Sequence, residues 1–171
     1  MTVTTDAKAP ERHAPRIAPV LVVAGILVGI DQLSKWWALS ALDGGRTIDI
    51  VWTLRLSLAF NEGMAFSQAG GLGRLIALAA VVIVVALVRS LKRATDVRSR
   101  VAMTLIVGGA LGNVVDRVFR GSQWLNGAVV DFIDLQWWPV FNVADMCIVC
   151  GAVLLAWSVV FPARRIEYPR A

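Results

Sequence analysis

The sequence predicts an all-α membrane protein with four transmembrane helices and one small extracytoplasmic β segment. Hydrophobic residues make up 57% of the chain, above the roughly 45–50% of soluble domains, and the mean hydropathy is +0.68. The apolar residues concentrate in four charge-free runs of 14 to 16 residues: Ile17–Ile30, Leu75–Val88, Val101–Val115 and Met146–Phe161. Each run approaches the ~20 residues that a bilayer requires only if polar residues at one end are included.

The basic residues predict the topology of these helices. Basic residues concentrate in three segments: one before the first run, one between the second and third runs, and one after the fourth. If the helices alternate in direction, all three segments lie on the same side of the membrane. They carry 11 of the 17 Lys and Arg residues, which marks that side as cytoplasmic. We therefore predict a cytoplasmic tail at 1–16, a membrane domain at 17–161 and a second cytoplasmic tail at 162–171. Topology accounts for the net charge of +5, and we predict no nucleic-acid partner.

A segment with a different period follows the first helix, within residues 44–68. Seven apolar residues recur at every second position: Ile48, Ile50, Trp52, Leu54, Leu56, Leu58 and Phe60. This alternation is typical of a β-strand with one apolar face. The predicted topology puts the segment outside the cytoplasm, on the membrane surface, with a turn at Asn61–Gly63.

Polar residues interrupt the predicted helices at the ends that share one membrane face. The interrupting residues are Asp31, Lys35, Arg74, Asn113, Asp116, Arg117, Asn142 and Asp145. Asp131 and Asp134 lie in the connection before the fourth helix. Ionisable groups at membrane depth are costly and indicate a functional site, although a buried network that only holds helices together is the alternative. We expect one shared site near the outer surface.

The residue types limit the chemistry. The only histidine is His13, in the N-terminal tail, so a Ser–His–Asp triad and a histidine-bound zinc are excluded from the membrane region. A Ser34–Lys35 pair is disfavoured, because adjacent helix residues point in different directions. Two aspartates that share a proton can hydrolyse a peptide bond without metal or cofactor. Composition alone leaves open which aspartates pair, and a proton-coupled transporter could use the same carboxylates.

Five blocks carry a resemblance to the bacterial lipoprotein signal peptidases (signal peptidase II), a family of membrane aspartyl peptidases. The blocks, in the family's order, are Asp31–Lys35 (DQLSK), Asn61–Phe66 (NEGMAF), Gly108–Arg117 (GGALGNVVDR), Val129–Ile133 (VVDFI) and Phe141–Asp145 (FNVAD). The resemblance implies cleavage of prolipoproteins before a cysteine that carries diacylglycerol. It also implies a bacterial plasma membrane protein, with both termini cytoplasmic and the active site near the outer face.

The resemblance assigns roles to individual residues. It implies that Asp131 and Asp145 are the catalytic pair. Further residues would shape the site or support it: Asn113, Asp116, Arg117, Asn142, Asp31, Lys35, Asn61 and Gly63. The alternating segment would be the family's β-cradle. We expect lipid-modified prolipoproteins and membrane lipids as partners, a monomer, and neither cofactor nor metal.

Two further expectations concern residues outside the matched positions. We expect Asp134 to be a surface carboxylate and Cys147 and Cys150 to be apolar filler, since free cysteine is commonly buried.

Two other classes of membrane protein fit the sequence less well. A transporter would carry its carboxylates near the bilayer midplane and contain an internal repeat, and neither is visible here. A purely structural membrane subunit would not require two facing aspartates.

Overall fold

A computed structural model of the protein describes residues 17–63, 72–94, 96–121 and 124–162. The two predicted tails lie outside these residues, apart from Pro162, as do residues 64–68 of the predicted β segment. Four helices follow the chain in the predicted order: α1 Ala18–Ala41, α2 Leu72–Leu91, α3 Val97–Phe119 and α4 Val143–Val160. All four are long and apolar enough to span a membrane, as the hydropathy predicted.

Local capping explains two helix starts that differ from the sequence prediction. We expected the third helix to begin near Val101, but Asp96 caps it earlier by accepting a hydrogen bond from the Ser99 backbone N–H. We expected the fourth helix to begin near Val140, but its N-cap is Asn142. Side-chain caps satisfy backbone donors that have no partner within the helix, so the cap fixes the first helical residue.

Helix α3 is the centre of the membrane domain. Half of its most apolar stretch is buried, whereas only about a fifth of the corresponding stretch is buried in each of the other three helices. The difference arises because α1, α2 and α4 all pack against α3. Small residues in α3 make this packing close: a methyl group on Gly109 would lie 2.3 Å from the Ala144 carbonyl oxygen. Glycine at this position therefore permits the close approach of α3 and α4.

A three-stranded antiparallel sheet lies at one end of the helices. Its strands are β1 Thr47–Val51, β2 Leu54–Asn61 and β3 Val129–Asp134, in the spatial order β1-β2-β3. The alternating segment is thus two strands rather than one, since the chain turns at Trp52 and Thr53. The third strand comes from the VVDFID connection, and Phe132 of this strand packs with Ala38 and Leu42 at the end of α1.

Candidate active site

A cavity of about 870 Å³ opens between the sheet and helices α2, α3 and α4. Both aspartates that the resemblance assigned to catalysis line it, Asp131 from β3 and Asp145 from α4. Four other predicted site residues share its wall: Asn61, Gly63, Asn113 and Arg117. Residues more than 80 positions apart in the sequence therefore meet at one cavity.

Asp145 is the third residue of α4 and part of a capping box. Its Oδ2 accepts the Asn142 backbone N–H at 3.1 Å, while its own N–H donates to Asn142 Oδ1 at 3.0 Å. Its Oδ1 accepts Asn113 Nδ2 at 2.8 Å. We had placed Asp145 more than a turn inside the fourth helix, but it lies in the first turn. Three hydrogen bonds therefore fix the position of the Asp145 side chain and backbone at the start of this helix.

Asp131 has a different environment, although it lines the same cavity. It is 2% exposed and lies in β3 opposite Ala59 of β2. Burial, together with the negative charge of Asp145, raises its pKa to about 6, and hydrogen bonds from Asn142 and Asn61 only partly offset this rise. Asp131 therefore holds its proton to a higher pH than an ordinary aspartate does.

Asn142 connects the two aspartates. Its Nδ2 donates to Asp131 Oδ1 at 2.6 Å and to Asn113 Oδ1 at 3.1 Å, while its Oδ1 and backbone N–H hold Asp145. The side chain is fully buried, so water does not compete for these hydrogen bonds. A single residue thus fixes the relative position of both carboxyl groups.

A closed ion cluster lies next to the cavity but does not line it. The Lys35 ammonium is fully buried and lies 2.8 Å from Asp31 Oδ2 and 2.8 Å from Asp116 Oδ2. It also donates to Asn113 Oδ1 at 3.0 Å, the same oxygen that Asn142 contacts. Asp31 and Lys35 lie four residues apart on α1, the spacing of an intrahelical ion pair, and Asp116 joins this pair from α3.

The cluster holds the elements that carry the two cavity aspartates. Asp116 Oδ2 accepts the backbone N–H of Val130, next to Asp131, at 3.2 Å. Asp31 Oδ1 accepts the backbone N–H of Ala144, next to Asp145, at 3.0 Å. Each cluster carboxylate is therefore bonded to the neighbour of one cavity aspartate.

Two members of the cluster were missed by the sequence prediction. Gln32 Nε2 lies within hydrogen-bond distance of the Asp31 and Asp116 carboxylates and the Gly112 carbonyl. Arg120 Nε forms an ion pair with Asp116 Oδ1 at 2.8 Å. Gln32 lies inside the DQLSK block, and Arg120 follows Asp116 by four residues, the spacing of an intrahelical ion pair. Both signals were available in the sequence.

Asn61, Gly63 and Arg117 form the rim of the cavity. Asn61 Oδ1 accepts the Gly63 backbone N–H at 2.9 Å, in a turn where Gly63 has a φ of +92°. A methyl group at Gly63 would lie 2.6 Å from Gly73 Cα and 3.1 Å from Arg117 Nη2, so only glycine fits. Arg117 Nη1 donates to the Gly127 carbonyl at 3.0 Å, which ties the rim to the segment before β3.

Two sequence expectations about neighbouring residues can be compared with the structure. The expectation of a surface carboxylate at Asp134 is wrong: it is 5% exposed, and Arg55 Nε lies 2.7 Å from its Oδ2. Cross-strand pairing of β2 with β3 brings these two residues together. The disfavoured Ser34–Lys35 pair does not form, since the Ser34 hydroxyl donates to the Asp31 carbonyl.

Comparison with known proteins identifies the family. The model of the signal peptidase (SPase) II family matches residues 23–161. The chain belongs to the signal peptidase II family. A lipoprotein signal peptidase of Rhodococcus jostii is 42% identical over 85% of this chain and 74% of its own length. One from Mycobacterium avium is 39% identical over 88% of this chain and 84% of its own.

Solved structures agree with this family. A bacterial membrane enzyme superposes with a TM-score of 0.74 and 27% identity, covering 86% of this chain and 96% of that chain. A second has the same TM-score, 25% identity and 90% coverage of this chain. The predicted fold class is thereby confirmed, and this signal peptidase II homologue is a multi-pass membrane peptidase. Nothing in these comparisons supports the transporter alternative.

Proposed function

We propose that this signal peptidase II homologue is an aspartic endopeptidase that removes the signal peptide from prolipoproteins, cutting before the diacylglyceryl cysteine. One observation carries the catalytic type: two carboxyl groups in different environments line one cavity, and burial raises the pKa of one of them, Asp131, to about 6. Pairs of carboxyl groups whose environments separate their proton affinities are typical of acid–base catalysis.

In the proposed reaction, Asp145 takes a proton from a water molecule while Asp131 donates its proton to the scissile carbonyl oxygen. The water oxygen bonds to the carbonyl carbon and gives a neutral tetrahedral diol. Asp145 then transfers its proton to the leaving nitrogen, the C–N bond breaks, and Asp131 regains a proton from a diol hydroxyl. Since the two groups titrate as a pair, the rate should have a bell-shaped pH dependence.

The other predicted site residues position the two aspartates or the substrate in this proposal. Asn142 and Asn113 fix the position of the two carboxyl groups relative to each other by hydrogen bonds. Asp31, Lys35 and Asp116 fix β3 and the start of α4, and Asn61, Gly63 and Arg117 form the rim that faces substrate. None of these roles needs a metal, and among residues 17–63, 72–94, 96–121 and 124–162 no group of three His, Cys, Asp or Glu side chains is placed to hold one.

The cavity wall supports a lipid-modified substrate. Its membrane-facing part consists of apolar side chains from three helices: Ile76, Ala77, Ala80, Ala110, Val114 and Ile148. The volume lies within the roughly 300–1,000 Å³ typical of ligand pockets. We also propose that the active form is a monomer.

Purified protein tests this function directly. Wild-type protein in detergent micelles should release the signal peptide from a diacylglyceryl prolipoprotein and leave the unlipidated precursor uncut. Asp131→Asn, reconstituted identically, is the matched control for contaminating proteases. Equal cleavage of both precursors would contradict the substrate assignment, and equal cleavage by the variant would contradict the catalytic one.

We further propose that the protein lies in the bacterial plasma membrane with both termini in the cytoplasm and the cavity near the outer face. The 11 basic residues on the predicted inner segments support this orientation. Reporter fusions at Asp96, in the α2–α3 connection, should report a cytoplasmic location. A periplasmic signal there would reverse the topology.

A further inference from the structure

The tip of the β1–β2 hairpin exposes a tryptophan completely. Trp52 is 101% exposed, and its neighbours Ile50 and Val51 are 54% and 66% exposed. Trp52 also has a φ of +56°, a backbone conformation that costs energy for a bulky residue and persists only where other contacts impose it. A soluble surface gains nothing from an apolar tip of this kind.

The tip is tied to a second aromatic group. Gln136 Nε2 donates to the Thr53 carbonyl at 3.0 Å, so the hairpin turn lies beside the segment that follows β3. That segment continues at once into Trp137 and Trp138, which are 70% and 59% exposed and pack edge to face at 6.1 Å. The hairpin tip and the tryptophan pair therefore lie on neighbouring segments at the same end of the sheet, and we call Trp52, Trp137 and Trp138 together the aromatic edge.

The aromatic edge is held rigidly at the end of the sheet. The buried Asp134 carboxylate accepts hydrogen bonds from Arg55 and Ser57 of β2 and from the Gln136 backbone N–H, at 2.7 to 3.0 Å. The Arg55 hydrogen bond, foremost, lowers the Asp134 pKa, so this carboxylate stays ionised at neutral pH. These hydrogen bonds of Asp134 thus connect both the β1–β2 hairpin and the segment of Trp137 and Trp138 to β3, the strand that carries Asp131.

The position of the aromatic edge along the chain identifies its partner. Trp137 and Trp138 precede by a few residues the first residue of α4, Val143, which begins a membrane span. They therefore lie at the level where that span leaves the hydrocarbon. Tryptophan is enriched at this level, because its ring is apolar and its N–H can bond to water or headgroups. The two tryptophans also line one apolar groove together with Met146 and Val149 of α4.

We propose that the aromatic edge, Trp52 together with Trp137 and Trp138, inserts into the phospholipid interface and anchors the sheet to the bilayer. The anchor holds β3, and hence Asp131, at a constant height relative to Asp145, which α4 itself fixes in the membrane. This inference concerns lipid contact and holds whichever reaction the cavity performs.

Fluorophore depth measurements test the anchor. A bimane probe is attached at Trp52→Cys, and separately at Asp49→Cys, in a Cys147→Ala, Cys150→Ala background. Asp49 is the matched control, since it is exposed on the same hairpin and pairs with Arg55, on the polar side of the sheet. In phosphatidylglycerol and phosphatidylcholine vesicles, the probe at 52 should shift its emission to the blue and be quenched by lipids brominated near the headgroup. The probe at 49 should instead be quenched by aqueous iodide.

Each outcome decides the proposal. Stronger bromolipid quenching at 52 than at 49 supports it, and equal quenching of both probes, or full iodide access at 52, overturns it. A second comparison avoids the bulk of the probe: Trp52→Ser should lower the ratio of turnover in vesicles to turnover in micelles, and Trp52→Tyr should restore it. If Trp52→Ser leaves this ratio unchanged, the edge does not anchor the sheet.

Discussion

The closed ion cluster and the cavity contain the same residue type in two opposite conditions. Asp31 and Asp116 each contact the buried Lys35 ammonium, and Asp116 also contacts Arg120. In the cavity, Asp131 is buried among amide donors, with no ion pair formed among the described residues, and its pKa rises to about 6. We infer that the ion-paired carboxylates hold the structure, whereas Asp131, whose pKa is raised by burial, is the group that exchanges a proton in the proposed reaction. Asp31, Asp116 and Asp131 are all buried, so burial alone does not distinguish the two regions. Among the described residues, the difference is whether the carboxyl group has an ion-pair partner.

The largest effect should follow from removing the exchangeable protons. Asp131→Asn and Asp145→Asn keep the shape of the side chain but cannot act as acid or base, and we expect a loss of roughly a thousandfold or more in single-turnover cleavage. Folded protein should still accumulate in the membrane. Retention of more than a few per cent of wild-type cleavage by either variant would make Asp116 the next candidate.

Substitutions in the ion cluster should mainly lower the free energy of unfolding. Lys35→Met leaves Asp31 and Asp116 buried without their shared cation, and we expect a cost of about 3–5 kcal/mol in the free energy of unfolding. Unfolding in mixed micelles measures this difference. Lys92→Met, at an exposed position after α2, is the matched control and should change little. Asp31→Asn should lose folded protein in the same way, since one Lys35 contact is then weakened.

Arg117→Ala should also lose folded protein along with activity. The guanidinium holds the Gly127 carbonyl and fills the space beside Gly63 and Gly73. Thermal unfolding and cleavage of this variant should therefore fall together. Intact stability with lost cleavage would instead place Arg117 in direct contact with substrate.

The stability of the protein should depend on pH through Asp131. Since the folded-state pKa of Asp131 is raised from 3.8 to about 6, the folded protein releases this proton less readily than the unfolded chain. Ionisation then costs stability above about pH 6, and the cost disappears as the pH falls below about 4. Asp131→Asn should therefore be more stable than wild type at pH 8, by roughly 1–3 kcal/mol, and equal at pH 4. A variant less stable than wild type at pH 8 would contradict the raised pKa.

The smallest effect should come from groups outside both regions. Chelator treatment and the double substitution Cys147→Ala, Cys150→Ala should leave turnover nearly intact, because the proposed chemistry needs neither metal nor thiol. Cys150 is exposed and Cys147 only partly buried, so the expectation of buried filler holds for neither fully. Loss of activity on chelation that one divalent ion restores would make the aspartates metal ligands instead.

The sequence by itself determined the features that depend on neighbouring residues. Apolar runs specified four spans, since the length and hydropathy of a segment are local properties. The Asp31–Lys35 spacing specified an intrahelical pair, and the order of five short blocks named the family and its expected catalytic aspartates. The Asn142 capping box was also readable, although we placed the helix start earlier.

Only the tertiary structure decided what surrounds each carboxyl group. Residues alone could not separate Asp116 from Asp131, because Lys35 lies on another helix and reaches only the first of them. Asp134 was wrongly expected at the surface for the same reason: its partner Arg55 lies 79 positions away in the sequence and meets it only when β2 pairs with β3. Exposure and charge compensation are properties of contacts between distant segments, and our proposal uses these contacts to separate the structural acids from the proton donor.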